Sequence, residues 1–307
     1  MSQAERIEGL IAAPFTPMTE SGEVNAGLID RYAAMLRDNG VCGVFVCGST
    51  GEGPSLTVSE RLGLAEAWRA ASGGLRVLIN VAGECLPACR QIAAHAQKIG
   101  ADGIGAFGPT YFKPATVGAL VDWCEALAAA APELPFYFYH IPSMTGLSFP
   151  MAEFLPAAER RIPNLAGAKF TFENLEDFQR CLGLSGGRFD MLFGRDEILL
   201  AALALGARGA IGSTYNFAAP LYLGIIDAFR RGDLRRAREA QSDAARMIAL
   251  LRRWGGMAAF KAVMGLIGLD CGPPRLPLRA LDAGRRDSMR TELAEIGFFD
   301  YCSKVRS

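Results

Sequence analysis

The chain has 307 residues, half of them hydrophobic, with 32 Lys+Arg against 32 Asp+Glu and a sequence pI near 6.7. That is enough apolar material for a sizeable core, and the scattered, balanced charge excludes the basic face of a nucleic-acid binder. No apolar stretch approaches the roughly 20 residues that span a bilayer, and Met1-Ser2-Gln3-Ala4-Glu5-Arg6 lacks the positive-then-apolar order of a secretion signal. A cytoplasmic protein with no membrane and no nucleic-acid partner is expected.

Short apolar runs rich in β-branched and aromatic residues fall at 9–17, 41–48, 76–83, 102–108, 134–141, 165–171, 189–194 and 208–214, and read as strands. Helical patterns lie between them, with apolar residues recurring at three and four, as in Leu28-Ile29-Tyr32-Ala33-Leu36 and Leu120-Val121-Cys124-Leu127-Ala128. Eight strand–helix units without a linker or repeat predict a closed α/β architecture, a (β/α)8 TIM barrel, over residues 1–233. Segments 220–232, 234–254 and 257–268 are helical again. Residues 234–307 are therefore expected to form a C-terminal helical extension packed on the barrel, one domain overall.

The eight cysteines lie mostly in apolar strands and helices without Cys-x-x-Cys pairs, which fits buried free thiols better than a disulfide framework. Cys85 and Cys89 are four apart, but the chain has only His95 and His140 to complete a ligand set, so no metal is expected. Gly103-Ile104-Gly105-Ala106-Phe107-Gly108 matches a dinucleotide fingerprint in letters only. It occupies a strand instead of following one, so the backbone cradle of that motif is missing.

Chemistry in such barrels gathers at the C-terminal strand ends. Polar and reactive residues do collect there: Gly48-Ser49-Thr50-Gly51-Glu52-Gly53 after the second strand, Tyr139-His140-Ile141-Pro142 after the fifth, Lys169-Phe170-Thr171 on the sixth, Gly194-Arg195-Asp196-Glu197 after the seventh and Gly212-Ser213-Thr214-Tyr215-Asn216 after the eighth. Each alone is compatible with ordinary turn and capping chemistry. Lysine is scarce, limited to Lys98, Lys113, Lys169, Lys261 and Lys304, and Lys169 sits in the apolar run Leu165-Ala166-Gly167-Ala168-Lys169-Phe170. An amine forced into such a place has its charged form disfavoured by desolvation, which makes the neutral nucleophile accessible and suits an imine-forming lysine.

Gly-Ser-Thr-Gly-Glu after the second strand, Tyr139 followed by Ile141-Pro142, and Gly167-x-Lys169 together resemble the superfamily of dihydrodipicolinate synthase and N-acetylneuraminate lyase, pyruvate-dependent class I aldolases on a (β/α)8 barrel. The resemblance runs from Leu10-Ile11-Ala12-Ala13-Pro14-Phe15-Thr16-Pro17-Met18 to Gly272-Pro273-Pro274-Arg275-Leu276-Pro277-Leu278. Within the superfamily the chain resembles the N-acetylneuraminate lyase branch, its animal type in particular, at Tyr139-His140-Ile141-Pro142, Leu192-Phe193-Gly194-Arg195-Asp196-Glu197 and Gly212-Ser213-Thr214-Tyr215-Asn216.

The resemblance implies reversible cleavage of N-acetylneuraminate to N-acetylmannosamine and pyruvate with no cofactor. It implies that Lys169 forms the imine, that Tyr139 shuttles the proton, and that Ser49 and Thr50 grip the substrate carboxylate, Thr50 serving the catalytic group as well. Thr171, Gly194, Asp196, Glu197 and Ser213 match positions that hold the hydroxylated tail of a sugar acid. Tyr111 matches an aromatic residue lent by a neighbouring subunit, and a homotetramer is implied. Met144 stands where the synthase carries an arginine for its second, carboxylated substrate, which disfavours that activity. Another pyruvate-dependent aldolase or hydro-lyase acting on a different 2-keto acid stays open. A non-catalytic keto-acid-binding barrel is the alternative of another class, and retention of Lys169, Tyr139 and Thr50 together argues against it. Arg195, Pro54 and Thr110 depart from the family pattern around the substrate pocket.

Overall fold

Short apolar strands bounded by glycine and proline build the centre of the molecule. A computed structural model describes residues 6–306; the segment read above for a secretion signal lies, except for Arg6, outside them. The strands are β1 (Gly9–Ala12), β2 (Gly43–Val46), β3 (Arg76–Asn80), β4 (Gly103–Ala106), β5 (Phe136–His140), β6 (Leu165–Phe170), β7 (Asp190–Phe193) and β8 (Gly209–Gly212). Neighbours pair in parallel and in chain order, and β1 returns to β8 through Gly9↔Gly209 to Ala12↔Gly212, so the sheet closes into the expected barrel. Each strand lies inside the run read for it. The first run stops short, at Ala12, because Pro14 and Pro17 carry no N–H for a ladder.

Helices cover the outside with the faces their periodicity predicts. Ile29–Asp38 buries Ile29, Tyr32, Ala33, Met35 and Leu36, and Val117–Ala128 buries Leu120, Val121, Cys124, Leu127 and Ala128. After β8 the helix is Tyr215–Arg230, starting earlier than the period shows, with Ala218 pulled out of helical geometry (φ −138, ψ 26) just before Pro220. Proline has no N–H to return to the preceding turn, which explains the kink. Leu234–Arg253 and Met257–Leu266 follow as expected. Ala283–Glu295 buries only Met289 and Leu293 and shows too little period to be read from sequence.

The glycines of β4 have a packing role in place of the phosphate role their spacing mimics. A Cβ on Gly105 would stand 2.7 Å from the Phe45 ring, and one on Gly103 would stand 2.8 Å from Leu78. Bare backbone on this strand makes room for large side chains inside the barrel. At the lower end of β6, Gly167 faces Asp190 in register, and a Cβ there would overlap the Asp190 backbone, which cannot yield as a side chain can. Gly167→Ala is therefore expected to lower stability by roughly 3 kcal/mol, read as a falling midpoint in urea unfolding; an unchanged midpoint contradicts this packing account.

Candidate active site

Tyr139 and Lys169 are direct register partners on β5 and β6, so their side chains leave the sheet side by side, into the barrel. Both are buried, at 3% and 4% exposure. Lys169 Nζ lies 4.0 Å from the Tyr139 ring centroid and 4.5 Å from that of Phe45, whose ring meets Tyr139 edge-on. Aromatic faces hold an amine by attraction when it is charged and leave it accessible to a carbonyl when it is neutral. His140, the next residue on β5, points to the opposite face among Phe138, Phe170 and Phe172. Burial pushes its pKa down to about 4, so it is neutral packing and no base for the mouth.

The loop after β2 brings a hydroxyl to the phenol of Tyr139 and a second one to the rim of β8. Ser49 Oγ is 3.4 Å from the Tyr139 hydroxyl, and the Thr50 and Ser213 hydroxyls are 2.7 Å apart, joining the rims of β2 and β8. The backbone is held in an unusual shape, with Cys47 and Glu52 both left-handed at φ 57 and 55. Non-glycine residues adopt that region at a cost and persist there only when surroundings over-determine them. Here Asn80 donates to the Cys47 carbonyl at 2.8 Å, the Thr16 hydroxyl donates to the Gly51 carbonyl at 2.6 Å, and a Cβ on Gly53 would overlap the Cys47 carbonyl.

The rims of β6 to β8 supply acceptors. Asp196 is buried and its Oδ2 accepts from the Thr214 N–H at 3.0 Å and the Thr214 hydroxyl at 2.6 Å, while Thr214 Oγ1 also lies 2.8 Å from the Tyr222 hydroxyl. Gly212 permits this, since a side chain there would occupy the carboxylate's place. Burial raises the Asp196 carboxyl to about 6, against the lowering effect of the Thr214 bonds. Its Oδ1 and the buried Thr171 hydroxyl have no hydrogen-bond partner among the described residues, and Thr171 packs on the bare Cα of Gly194. Glu197 goes elsewhere: its carboxylate pairs with Arg195 at 2.9 Å and with Arg252 from the C-terminal extension, and Arg195 also pairs with Glu173.

Lys169, Tyr139, Ser49, Thr50 and Ser213 thus form one group, with Asp196, Thr171 and Gly194 on the adjoining rims. Tyr111 does not join the buried group within one chain; it is 81% exposed and packs edge-on against Phe112. A cavity of about 590 Å³ opens to one side, walled by Ser49, Leu56, Glu84, Phe107, Ile141 and Met144 among others; Lys169 is not in its walls. Three residues around Asp196 escape the sequence reading, Thr214, Tyr215 and Tyr222. The first two lie inside a segment singled out above, yet only the fold shows that they enclose a carboxylate.

The fold and this group define a (β/α)8 barrel with a lysine-centred mouth. The family model for the dihydrodipicolinate synthetase family matches residues 6–296. A curated relative, N-acetylneuraminate lyase of Rattus norvegicus, is 41% identical over 303 residues, covering 97% of this chain and 95% of that protein. Solved structures of N-acetylneuraminate lyase from Proteus mirabilis (TM-score 0.93, 42% identity, 96% of this chain and 100% of that one) and Aliivibrio salmonicida (TM-score 0.93, 41% identity, 96% and 98%) superpose on it. The chain belongs to the dihydrodipicolinate synthetase family.

Asp196 makes a pH prediction. Its folded pKa, about 6, lies above the ordinary carboxyl value, so the folded state binds its proton more tightly than the unfolded chain does. The stability this group contributes is full below about pH 4 and lost as pH rises through 6. Asp196→Asn keeps an acceptor for Thr214 and removes the charge. It is expected to melt at a higher temperature than wild type at pH 8 and to lose that advantage at pH 4.5. Equal melting differences at the two pH values would show that the carboxyl is ordinary.

Proposed function

We propose that the chain is a lyase that cleaves N-acetylneuraminate reversibly to N-acetylmannosamine and pyruvate through an imine on Lys169. The observation that carries the mechanism is the amine held 4.0 Å from the Tyr139 ring with the Ser49 and Thr50 hydroxyls at the same mouth. The names and near-complete coverage of the relatives carry the substrate.

In this reading Ser49 and Thr50 hold the carboxylate beside the ketone, and the Lys169 amine adds to the ketone carbon with loss of water. The resulting iminium is an electron sink. Tyr139 takes the proton of the hydroxyl beyond the breaking carbon–carbon bond, the aldehyde leaves, and the bond's electron pair becomes an enamine. A proton returned to the enamine carbon and addition of water release pyruvate and restore the amine. Asp196 Oδ1 and the Thr171 hydroxyl, buried and without a hydrogen-bond partner among the described residues, are acceptors for the hydroxylated tail. Glu197, neutralised by Arg195 and Arg252, would meet the tail together with guanidinium donors. Barrel and C-terminal extension act as one domain, and the exposed Tyr111 and Phe112 suit contact with further copies in a cytoplasmic homotetramer.

Borohydride treatment with pyruvate, read by intact mass, tests the imine. Wild type is expected to gain one reduced pyruvate adduct, and Lys169→Ala none, with its fold retained. An adduct of equal yield on Lys169→Ala would assign the imine to another amine. Tyr139→Phe keeps the ring packing and is expected to slow cleavage about 10²–10⁴-fold; a wild-type rate of pyruvate methyl exchange in that variant would exclude Tyr139 as the shuttle. Asp196→Ala and Glu197→Ala are expected to lower kcat/KM for N-acetylneuraminate by roughly 1–3 kcal/mol each while trapping pyruvate normally. Normal cleavage by both places the tail elsewhere.

A further inference from the structure

The loop that carries Ser49 and Thr50 is anchored by one carboxylate, and the anchor lies in the C-terminal segment. Glu52, left-handed at φ 55, turns its side chain inward, where Lys261 Nζ donates to Oε1 at 2.8 Å. Both side chains are almost fully enclosed, at 2% and 1% exposure. The Arg275 N–H donates to the other oxygen, Oε2, at 2.7 Å, and Lys261 also donates to the Pro273 carbonyl at 2.9 Å. Both oxygens of the carboxylate are therefore occupied by groups that do not belong to the barrel. The Arg275 side chain extends the strap, donating to the Ser55 and Gly22 carbonyls at 3.0 Å each from Nη1 and Nε, and pairing with Glu60.

A buried ion pair is a poor way to gain stability, because desolvation consumes most of the attraction. Its distinctive property is direction. A carboxylate with two fixed donors on opposite oxygens holds its own backbone at a defined place, two residues from Thr50 and three from Ser49. The Glu52 N–H in turn donates to the Ser49 carbonyl at 3.1 Å. Glu52 itself stands in the left-handed region, a conformation that persists only where the surroundings fix it.

We propose that Glu52, fixed by Lys261 and Arg275, is a positioning residue for the carboxylate grip, so that the segment 257–275 sets affinity for the keto acid without touching it. The inference rests on the proposed roles of Ser49, Thr50 and Lys169. Loss of the anchor lets the loop relax, which weakens carboxylate binding and leaves the amine chemistry at saturation intact.

The test is borohydride trapping of the full chain across a range of pyruvate concentrations, with thermal melting alongside. Lys261→Met and Glu52→Gln are each expected to raise the half-saturating pyruvate concentration by about tenfold or more, as for a lost substrate-binding interaction, with full labelling at saturation. The double variant E52Q/K261M leaves no lone buried charge and is expected to melt nearer to wild type while its half-saturation stays raised. A purely structural pair predicts the opposite, half-saturation returning to the wild-type value along with the melting temperature, and that result overturns the proposal. Should the single variants not fold, Arg275→Met removes only the half-buried outer strap and is expected to raise half-saturation about threefold; an unchanged value there also overturns it. Wild type that gains no adduct at all refutes the imine reading and this inference with it, whereas trapped wild type with unshifted variants refutes the inference alone.

Discussion

Pairing of β1 with β8 is the constraint on which the site depends. Four consecutive register pairs close the sheet and bring the end of the eighth strand beside the first and second. Only then do Thr50 and Ser213, far apart in the chain, share a hydrogen bond of 2.7 Å. Asn216 reinforces the seam by donating to the Ala13 and Ser213 carbonyls at 2.7 Å each and accepting from the Tyr32 hydroxyl at 2.6 Å. An open sheet of the same strands would keep Lys169 beside Tyr139, since those two are adjacent on β5 and β6, but would lose the hydroxyls that face them. Closure therefore joins the amine and phenol of β5 and β6 to the hydroxyls on the rims of β2 and β8.

The charges around the mouth are handled in three ways, and the difference bears on their roles. Glu52 is compensated by a buried cation and a backbone N–H. Glu197 is shared between two arginines near the surface, where screening makes each pair weak. Asp196 forms no salt bridge among the described residues; it is held by the neutral donors of Thr214 and stays at a raised pKa because burial outweighs those bonds and the charge of Lys169. It is kept so at a cost in stability, with one oxygen lacking a hydrogen-bond partner among the described residues, which is the pattern of a functional site more than of a folding contact. Tyr215 beside it, its phenol raised well above 10 first by burial and then by the carboxylate, keeps its proton.

Most of the barrel was legible because its signals are local. Alternation of short β-rich runs with residues spaced at three and four needs no knowledge of distant contacts; the face of Val117–Ala128 came out residue for residue, and that of Ile29–Asp38 did except that Leu28 caps the helix half-buried and Met35 is buried as well. The rims were legible for the related reason that a parallel barrel puts strand ends at one mouth. What escaped depends on contacts across the chain. Lys261 is as rare a residue as Lys169, yet it lies in a helix, and its carboxylate partner is 209 positions away. Asp196 and Glu197 invite reading as a pair because they are neighbours, but a 3-10 turn sends one carboxylate inward to Thr214 and the other outward to Arg195 and Arg252. The place of the β4 glycines inside a strand excludes a phosphate loop from sequence, but that they make room for Phe45 and Leu78 is visible only in the packing.

The distribution of these parts separates chemistry from selection. The lysine, the tyrosine and the aromatic wall at Phe45 sit on strands, whose register fixes them within the sheet's own hydrogen-bond ladder. The groups around the proposed carboxylate and tail sit on loops, and the C-terminal extension reaches those loops at separate points: Gln241 donates to the Asp196 carbonyl at 3.2 Å and accepts from the Leu200 N–H at 2.8 Å, Arg252 pairs with Glu197, and Lys261 with Arg275 holds Glu52. Substitutions in the extension therefore act on these loops, while the amine and phenol stay in register on the strands. Arg195, a departure from the family pattern that is anchored to both Glu173 and Glu197, belongs to the same outer layer. Its guanidinium ties the rim of β7 to Glu173 beyond β6, while Tyr139 and Lys169 beneath are held by strand register.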